Sequence, residues 1–488
     1  MLTEARTIRT FDAVKALAFI GDLSMGQPTD HSIRTAYFAV RLARSAGYDD
    51  AHCDAVREAA LLRWSGCTAN ASGFAEELGD DIAGREAMLA IRPEWTQLLD
   101  ALGGASVAFK PLVQIHCEVS GEVARILGLD SATGAVLRHI FETWDGHGLP
   151  DRMSGAAVPN GVFVVSLAGD LEIFSRVYGH DRALDLIAER AESRYPNSLV
   201  SKVVNESAEW IRALETLTRE RLDRELLTGS LTQTTSPEVI GDIIDLKLPW
   251  MSGYSRSVAT TAVACYDRLG NDTGVKKRLY EAGLIHGIGR ASVPNSIWNT
   301  PKRLSASSWE KIRLVPYWTS RAGKQTGALE QSAELGSHAY ERINGSGYFR
   351  GIGGPSLNLE ARILGASVAW VSLRRWRPWR DALPDANAAQ VLLADAERGR
   401  LDPQVVDALL ASAALAQDPR PRTQSSPLSA REIDVLRLIS RGATNKDVAK
   451  ELALSPSTVR THLENIFRKL GCTTRAVASL KASALGLL

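Results

Sequence analysis

The segment Glu142-Thr143-Trp144-Asp145-Gly146-His147-Gly148-Leu149-Pro150 returns about two hundred residues later as Glu341-Arg342-Ile343-Asn344-Gly345-Ser346-Gly347-Tyr348-Phe349. A chain that carries the same turn twice, with the same neighbours in the same order, is one module built twice. Before each turn lie a polar-capped helix (DHSIRTAYFAVRLARSAG; GYSRSVATTAVACYDRLG) and a short apolar helix ending in a loop (AALLRWSGCTA; AGLIHGIGRASVPN). After it comes another apolar helix (NGVFVVSLAGDLEIF; LEARILGASVAWVSL). The apolar residues recur at helical spacing almost throughout, which predicts an all-α fold.

The chain has 488 residues, too many for one ordinary domain. With 45% hydrophobic and 23% charged residues it has the balance of a globular protein with full-sized cores. No apolar run approaches the ~20 residues that span a bilayer, and the N-terminus MLTEARTIRTFDAV places charges where a signal peptide needs an apolar segment. The expectation is a cytoplasmic protein without membrane contact. Its five cysteines are scattered and include no C-x-x-C pair, which fits a reducing compartment.

The last stretch announces three helix starts: Ser429 with Glu432, Thr444 with Asp447, and Ser455 followed by Pro456. Behind them the apolar positions Val435, Leu436, Ile439, Val448, Ala449, Leu452, Val459, Leu463, Ile466 and Leu470 fit a small helical bundle. The turn Leu452 to Ser455 between the second and third helices is what a helix-turn-helix requires. From Ser425 to Leu488 ten basic residues face five acidic ones, a net of +5, while the whole chain carries +1. With the apolar stripe inward, Thr458, Arg460, Thr461, Glu464, Asn465, Arg468 and Lys469 are left for DNA.

The run LSAREIDVLRLISRGATNKDVAKELALSPSTVRTHLENIFRKLGCTTRAVA resembles the LuxR/GerE-type DNA-binding domain over its full length. That resemblance implies a four-helix domain whose third helix enters the major groove, with Lys446, Ser457, Thr458, Arg460 and His462 near the DNA. It also implies pairing of two subunits by the last helix, through Val477, Leu480 and Ala484. The expected partners are double-stranded DNA at a palindromic promoter site, a second copy of the chain, and RNA polymerase.

The repeated modules are similar to the HD-GYP branch of the HD phosphohydrolases, most clearly in GLIHGIGRASVPNSIWNTPKRLSASSWEKIR and YERINGSGYFRGI. Such enzymes hold divalent metals with an adjacent His-Asp pair, further histidines and a distant Asp, and the metals activate water against a phosphate ester. In the first copy His31, His116 and His139 fall at ligand positions, but Arg63 and Trp64 replace the pair and Gly169, next to Asp170, replaces the distant Asp. In the second copy His286 and His338 remain; Tyr254, Gly287, Val315, Ala339, Tyr340 and Val368 occupy the other positions. The implied reading is two modules without catalysis, hence no enzyme and no cofactor. A metal retained at His31, His116 and His139 is the alternative.

The domains expected are a degenerate HD-GYP-like module over 1–235, a second over 236–415, a proline-rich linker over 416–427, and the helix-turn-helix domain over 428–488. The charged stretch SAEWIRALETLTRERLDRELL, near the first boundary, reads as a connecting helix or a dimer contact. Arg374, Arg375, Arg377 and Arg380 interleave with Trp376 and Trp379 beside Trp370; ordinary packing is favoured there over the mouth of a pocket for a flat or anionic ligand. The favoured function is a transcription regulator whose modules sense a small molecule and dimerise. A ligand would contact His31, Arg63, Trp64, His116, His139, Asp170, Tyr254, His286, His338, Tyr340 and Trp370. A working phosphohydrolase with a DNA-binding appendage and a dimerising scaffold are the rivals.

Overall fold

The computed structural model describes residues 7–92, 104–415 and 427–488. The expected linker lies outside the described residues except for Pro427. Helices dominate; the only strands among the described residues, Ile8–Arg9 and Thr234–Thr235, pair antiparallel with Ile8 opposite Thr235. This clip joins the two ends of the first unit, Thr7–Thr235. The described residues from Ser236 to Leu488 belong to the second.

In the first unit the helix Thr10–Ser24 is buried along its whole length, as its near-continuous apolar sequence requires. The helices His31–Ser45, Asp50–Leu62, Ala105–Ile126, Ser131–Arg138 and Gly161–Tyr178 carry the rest of the core. The charged stretch that read as one connecting helix is two, Asn197–Glu215 and Arg219–Leu226. The chain breaks where Thr218 turns its side chain to accept from the Arg221 amide and starts a new helix. Both pieces pack on His31–Ser45 of their own unit.

The second unit repeats the layout with Glu238–Asp245, Tyr254–Tyr266, Thr273–Ile285, Val315–Thr326 and Leu359–Leu373. The duplication extends to single hydrogen bonds. Buried Asp22 accepts from the Ser32 amide (3.1 Å) and hydroxyl (2.6 Å), and buried Asp245 accepts from the same groups of Ser255 at 2.8 Å each. Glu142 accepts from the Asp151 amide at 2.7 Å, and Glu341 from the Arg350 amide at 2.8 Å. In each repeated turn a glycine is required: a Cβ on Gly148 or Gly347 would stand 2.4 Å from the Cα of Glu142 or Glu341. Asp145 accepts from the His147 amide and Asn344 from the Ser346 amide, so these side chains build the turn itself.

The tail folds into Ala430–Ser440, Asn445–Glu451, Pro456–Leu470 and Arg475–Ala484. Ser429 with Glu432 and Thr444 with Asp447 close reciprocal capping boxes, and Ser455 accepts from the Thr458 amide. Between the second and third helices Ala453 takes a positive φ of 52°, the tight reversal that lets the third helix leave at an angle. Val435, Leu436, Ile439, Val448, Val459, Leu463 and Ile466 close one small core.

Candidate functional site

The second module encloses a cavity of about 620 Å³ on the side of its broken ligand set. Tyr254 and Tyr340 line it, with Trp250, Trp298, Trp309 and Trp379 around them. Five cations also face it, Arg290, Lys302, Arg303, Arg377 and Arg380, and none of its lining residues is acidic. Rings and cations alternate: the Arg377 guanidinium lies 4.8 Å from the Trp250 ring and 5.3 Å from Tyr254, and Arg290 lies 4.9 Å from Tyr254. Tyr340 and Tyr348 stack with centroids 5.1 Å apart, and the Trp298 indole N–H, buried, has no partner among the described residues. The tryptophan and arginine stripe thus lines a pocket through Arg377, Trp379 and Arg380, whereas Trp370 is buried beneath Arg374 and Trp376 is half exposed.

The floor of this cavity is held by Arg290. A guanidinium only donates, so its 2.9 Å contact makes His286 Nε2 an acceptor, and His286 Nδ1 carries the proton given to the Gly283 carbonyl at 2.7 Å. Burial, aided by Arg290, pushes His286 down to about 3, so the ring is neutral. The same burial lifts Asp245, 3.5 Å from Arg290, to about 6. A Cβ on Gly287 would stand 2.3 Å from Arg290 Nη1.

In the first module Arg63, Trp64, His116 and Asp170 line a second cavity of about 470 Å³. Arg63 is 2% exposed, stacks 4.0 Å over Trp64, and presses so close to Gly169 that a Cβ there would be 1.4 Å from Nη1. His116 Nε2 donates to the Arg63 carbonyl at 2.8 Å, and burial pushes His116 down to about 3. Asp170 accepts from the Tyr195 hydroxyl and pairs with Arg194 at 3.0 Å.

Several expected site residues stand apart from these cavities. His31 is fully buried, its Nδ1 2.5 Å from Glu172; although burial works to raise Glu172, His31 and Arg176 hold it at about 2. His139 donates from Nδ1 to the Ala135 carbonyl, and His338 sits beside Glu334 and Arg350 in a separate groove. His286 lies behind Arg290. The arrangement does not suit a divalent metal. A guanidinium fills the space over Gly169 and the space over Gly287, and a cation repels a cation. Among the described residues no three His, Cys, Asp or Glu side chains are grouped to hold an ion.

On the tail, Lys446, Ser457, Thr458, Arg460, Thr461, Glu464, Arg468 and Lys469 are exposed, and His462 and Asn465 partly so. Arg460 pairs with Glu464 at 3.0 Å and Arg468 donates to Asn465 at 3.2 Å. Lys469 folds back onto the capping-box Glu432 at 2.7 Å. Of the last-helix residues, Val477 and Leu480 are buried within the subunit and Ala484 is exposed.

Residues 238–405 match the HD domain family, and residues 426–482 match the bacterial regulatory proteins of the luxR family. The chain unites an HD domain with a luxR-family DNA-binding domain. The chain is similar to 3'3'-cGAMP-specific phosphodiesterase 3 of Vibrio cholerae, 23% identical over 420 residues, covering 80% of this chain and 91% of that protein. The solved structure of a cyclic GMP-AMP specific phosphodiesterase from V. cholerae shares the fold, with a TM-score of 0.60 and 21% identity over 84% of this chain and 98% of that one. The luxR-family domain is 42% identical over 65 residues to the HTH-type transcriptional activator RamA of Corynebacterium glutamicum, covering 13% of this chain and 23% of that protein.

These relatives correct one expectation. The missing ligand positions led to a chain that is not an enzyme, yet the likeness to a phosphodiesterase runs through both modules. The loss of familiar ligands does not by itself exclude the reaction. As to membranes, among the described residues no helix is long and apolar enough to cross one.

Sequence reasoning missed Arg290, Trp250, Lys302 and Arg303 in the second cavity and Arg85, Arg190 and Arg194 in the first. One signal was present. Arg290 follows His286 by four residues, a spacing that stacks side chains on one helical face.

Proposed function

We propose that this chain is a cytoplasmic transcription regulator whose HD domain takes up a cyclic dinucleotide and passes its occupancy to the luxR-family reader. The observation that carries the reading is the composition of the second cavity: four tryptophans and three tyrosines interleaved with five cations and no acid. Flat bases stack on such rings, and phosphodiester charges are met by Arg290 and Arg377, guanidinium groups that suit phosphate oxygens, with Lys302 and Arg303 at the same lining. The volume lies within the range of small-molecule sites. The phosphodiesterase relatives supply the ligand class.

In this reading the reader works as a homodimer on a two-fold-symmetric promoter site, its recognition helices about one DNA turn apart. Lys446, Thr458 and Arg460 hold phosphates, and Glu464 and Asn465 face base edges. A ligand that binds one dimer arrangement better than another shifts DNA affinity by the same differential. The test is a fluorescence-anisotropy titration of promoter DNA with and without 3'3'-cGAMP, with chromatography of the nucleotide afterwards. A change in DNA affinity of about fivefold or more supports the regulator. Product appearing in step with enzyme concentration reports turnover by the chain. Unchanged DNA affinity at saturating nucleotide would defeat the coupling.

A further inference from the structure

Like the second, the first module's cavity is lined mostly by apolar surface together with several arginines; it differs in one buried group. Its walls are mainly apolar, with Met25, Phe74, Met88, Leu89, Phe109 and Phe141 along them. One end is cationic. There Arg63, almost wholly buried, has Nε and Nη1 without a partner among the described residues, and the neighbouring Trp64 indole N–H is also unpaired. The other arginines at this cavity have partners for their terminal nitrogens or a paired charge: Arg85 donates from Nη1 and Nη2 to the Ser24 and Cys67 carbonyls and to Asn70, its Nε being open among the described residues, Arg190 donates to the Leu186 carbonyl, and Arg194 pairs with Asp170.

A buried guanidinium with open donors is costly unless something meets it. Four arginines, Arg63, Arg85, Arg190 and Arg194, line the cavity against Asp170 alone, so the site is net positive and favours an anionic head. Along the wall made by Met25, Phe74, Met88, Leu89, Phe109 and Phe141 no side chain offers a hydrogen bond to a sugar or base edge. It suits a hydrocarbon body.

We propose that the first module binds an anionic amphiphile, its carboxylate or phosphate head on Arg63 and Trp64 Nε1 and its alkyl or aryl body along the methionine and phenylalanine wall. The site is separate from the one proposed for a cyclic dinucleotide.

The experiment is calorimetric titration of the full chain with decanoate, decyl phosphate and decanol, each below its aggregation concentration. At least one of the two anions binds once per chain, decanol binds at least about tenfold more weakly, and the better anion names the head group. Arg63→Met lowers anion affinity about tenfold to a hundredfold, the range for charge-assisted hydrogen bonds. Should Arg63→Met not fold, Met88→Trp, which fills the cavity and leaves Arg63 in place, abolishes decanoate and decyl phosphate binding. The proposal is overturned if neither anion binds, if decanol binds as tightly, or if a folded variant of either kind keeps the wild-type affinity.

Discussion

Arg63 and Arg290 reach similar positions by different routes. Arg63 stands where the family resemblance places the histidine of the His-Asp pair, and Arg290 arrives from four residues beyond His286, but each guanidinium occupies room that a glycine leaves open. Gly169→Ala tests this. Its Cβ would stand 1.4 Å from Arg63 Nη1, so the guanidinium must move, at a cost of about 1–3 kcal/mol in denaturant unfolding. A change under about 0.5 kcal/mol would mean that Arg63 is not held there. Asp22 offers a second check. Burial outweighs the help of His31 and Ser32 and lifts it from 3.8 to about 7. A carboxyl raised in the fold contributes stability that is complete below about pH 4 and is lost as the pH climbs toward 7. Asp22→Asn removes that dependence, so the variant gains on the wild type by up to about 1.4 kcal/mol per pH unit across this window. Parallel stability profiles would contradict the assignment.

The reader's helices were legible because their signals are local. Ser429 and Glu432, or Thr444 and Asp447, meet within one turn, and both boxes form as the spacing requires. Ser429→Ala is expected to cost about 1 kcal/mol in unfolding of the reader, and an unaffected transition would deny the box its role. Arg460→Ala is expected to weaken DNA binding across sequences and to lower the salt slope by about one, as loss of one phosphate contact does. An unchanged slope would remove Arg460 from the phosphate-contacting set. The cavities were far less legible. Arg290, Arg377 and Trp250 come together from three distant elements, and no periodicity encodes such a meeting. In the sequence Trp379 and Arg380 read as packing, because a stripe of rings and cations looks alike on a surface and at a pocket mouth. His139 and His338 were grouped with ligands because spacing gives a position but not the direction in which a side chain points. The charged stretch near residue 216 read as one helix because Thr216 and Thr218 break it by capping, which charge pattern does not reveal.

At the scale of the molecule, one ancestral plan is used twice with different outcomes. Both copies keep the buried carboxylate lock, Asp22 with Ser32 and Asp245 with Ser255, and both keep the glutamate-anchored turn, which together preserve the frame. Within that frame one cavity sets tryptophans and tyrosines among its cations, and the other sets methionines and phenylalanines beside the buried, open guanidinium of Arg63. This frame is joined to a luxR-family domain. The central claim is that arginines of the second cavity, Arg290 first among them, recognise the phosphodiester of the proposed ligand. It is tested most directly by calorimetry of 3'3'-cGAMP binding to the full chain in buffer containing EDTA, for the wild type and Arg290→Met. Saturable binding without metal, weakened about tenfold or more by Arg290→Met, is the predicted result; binding that appears only on adding a divalent metal and ignores Arg290 would contradict it.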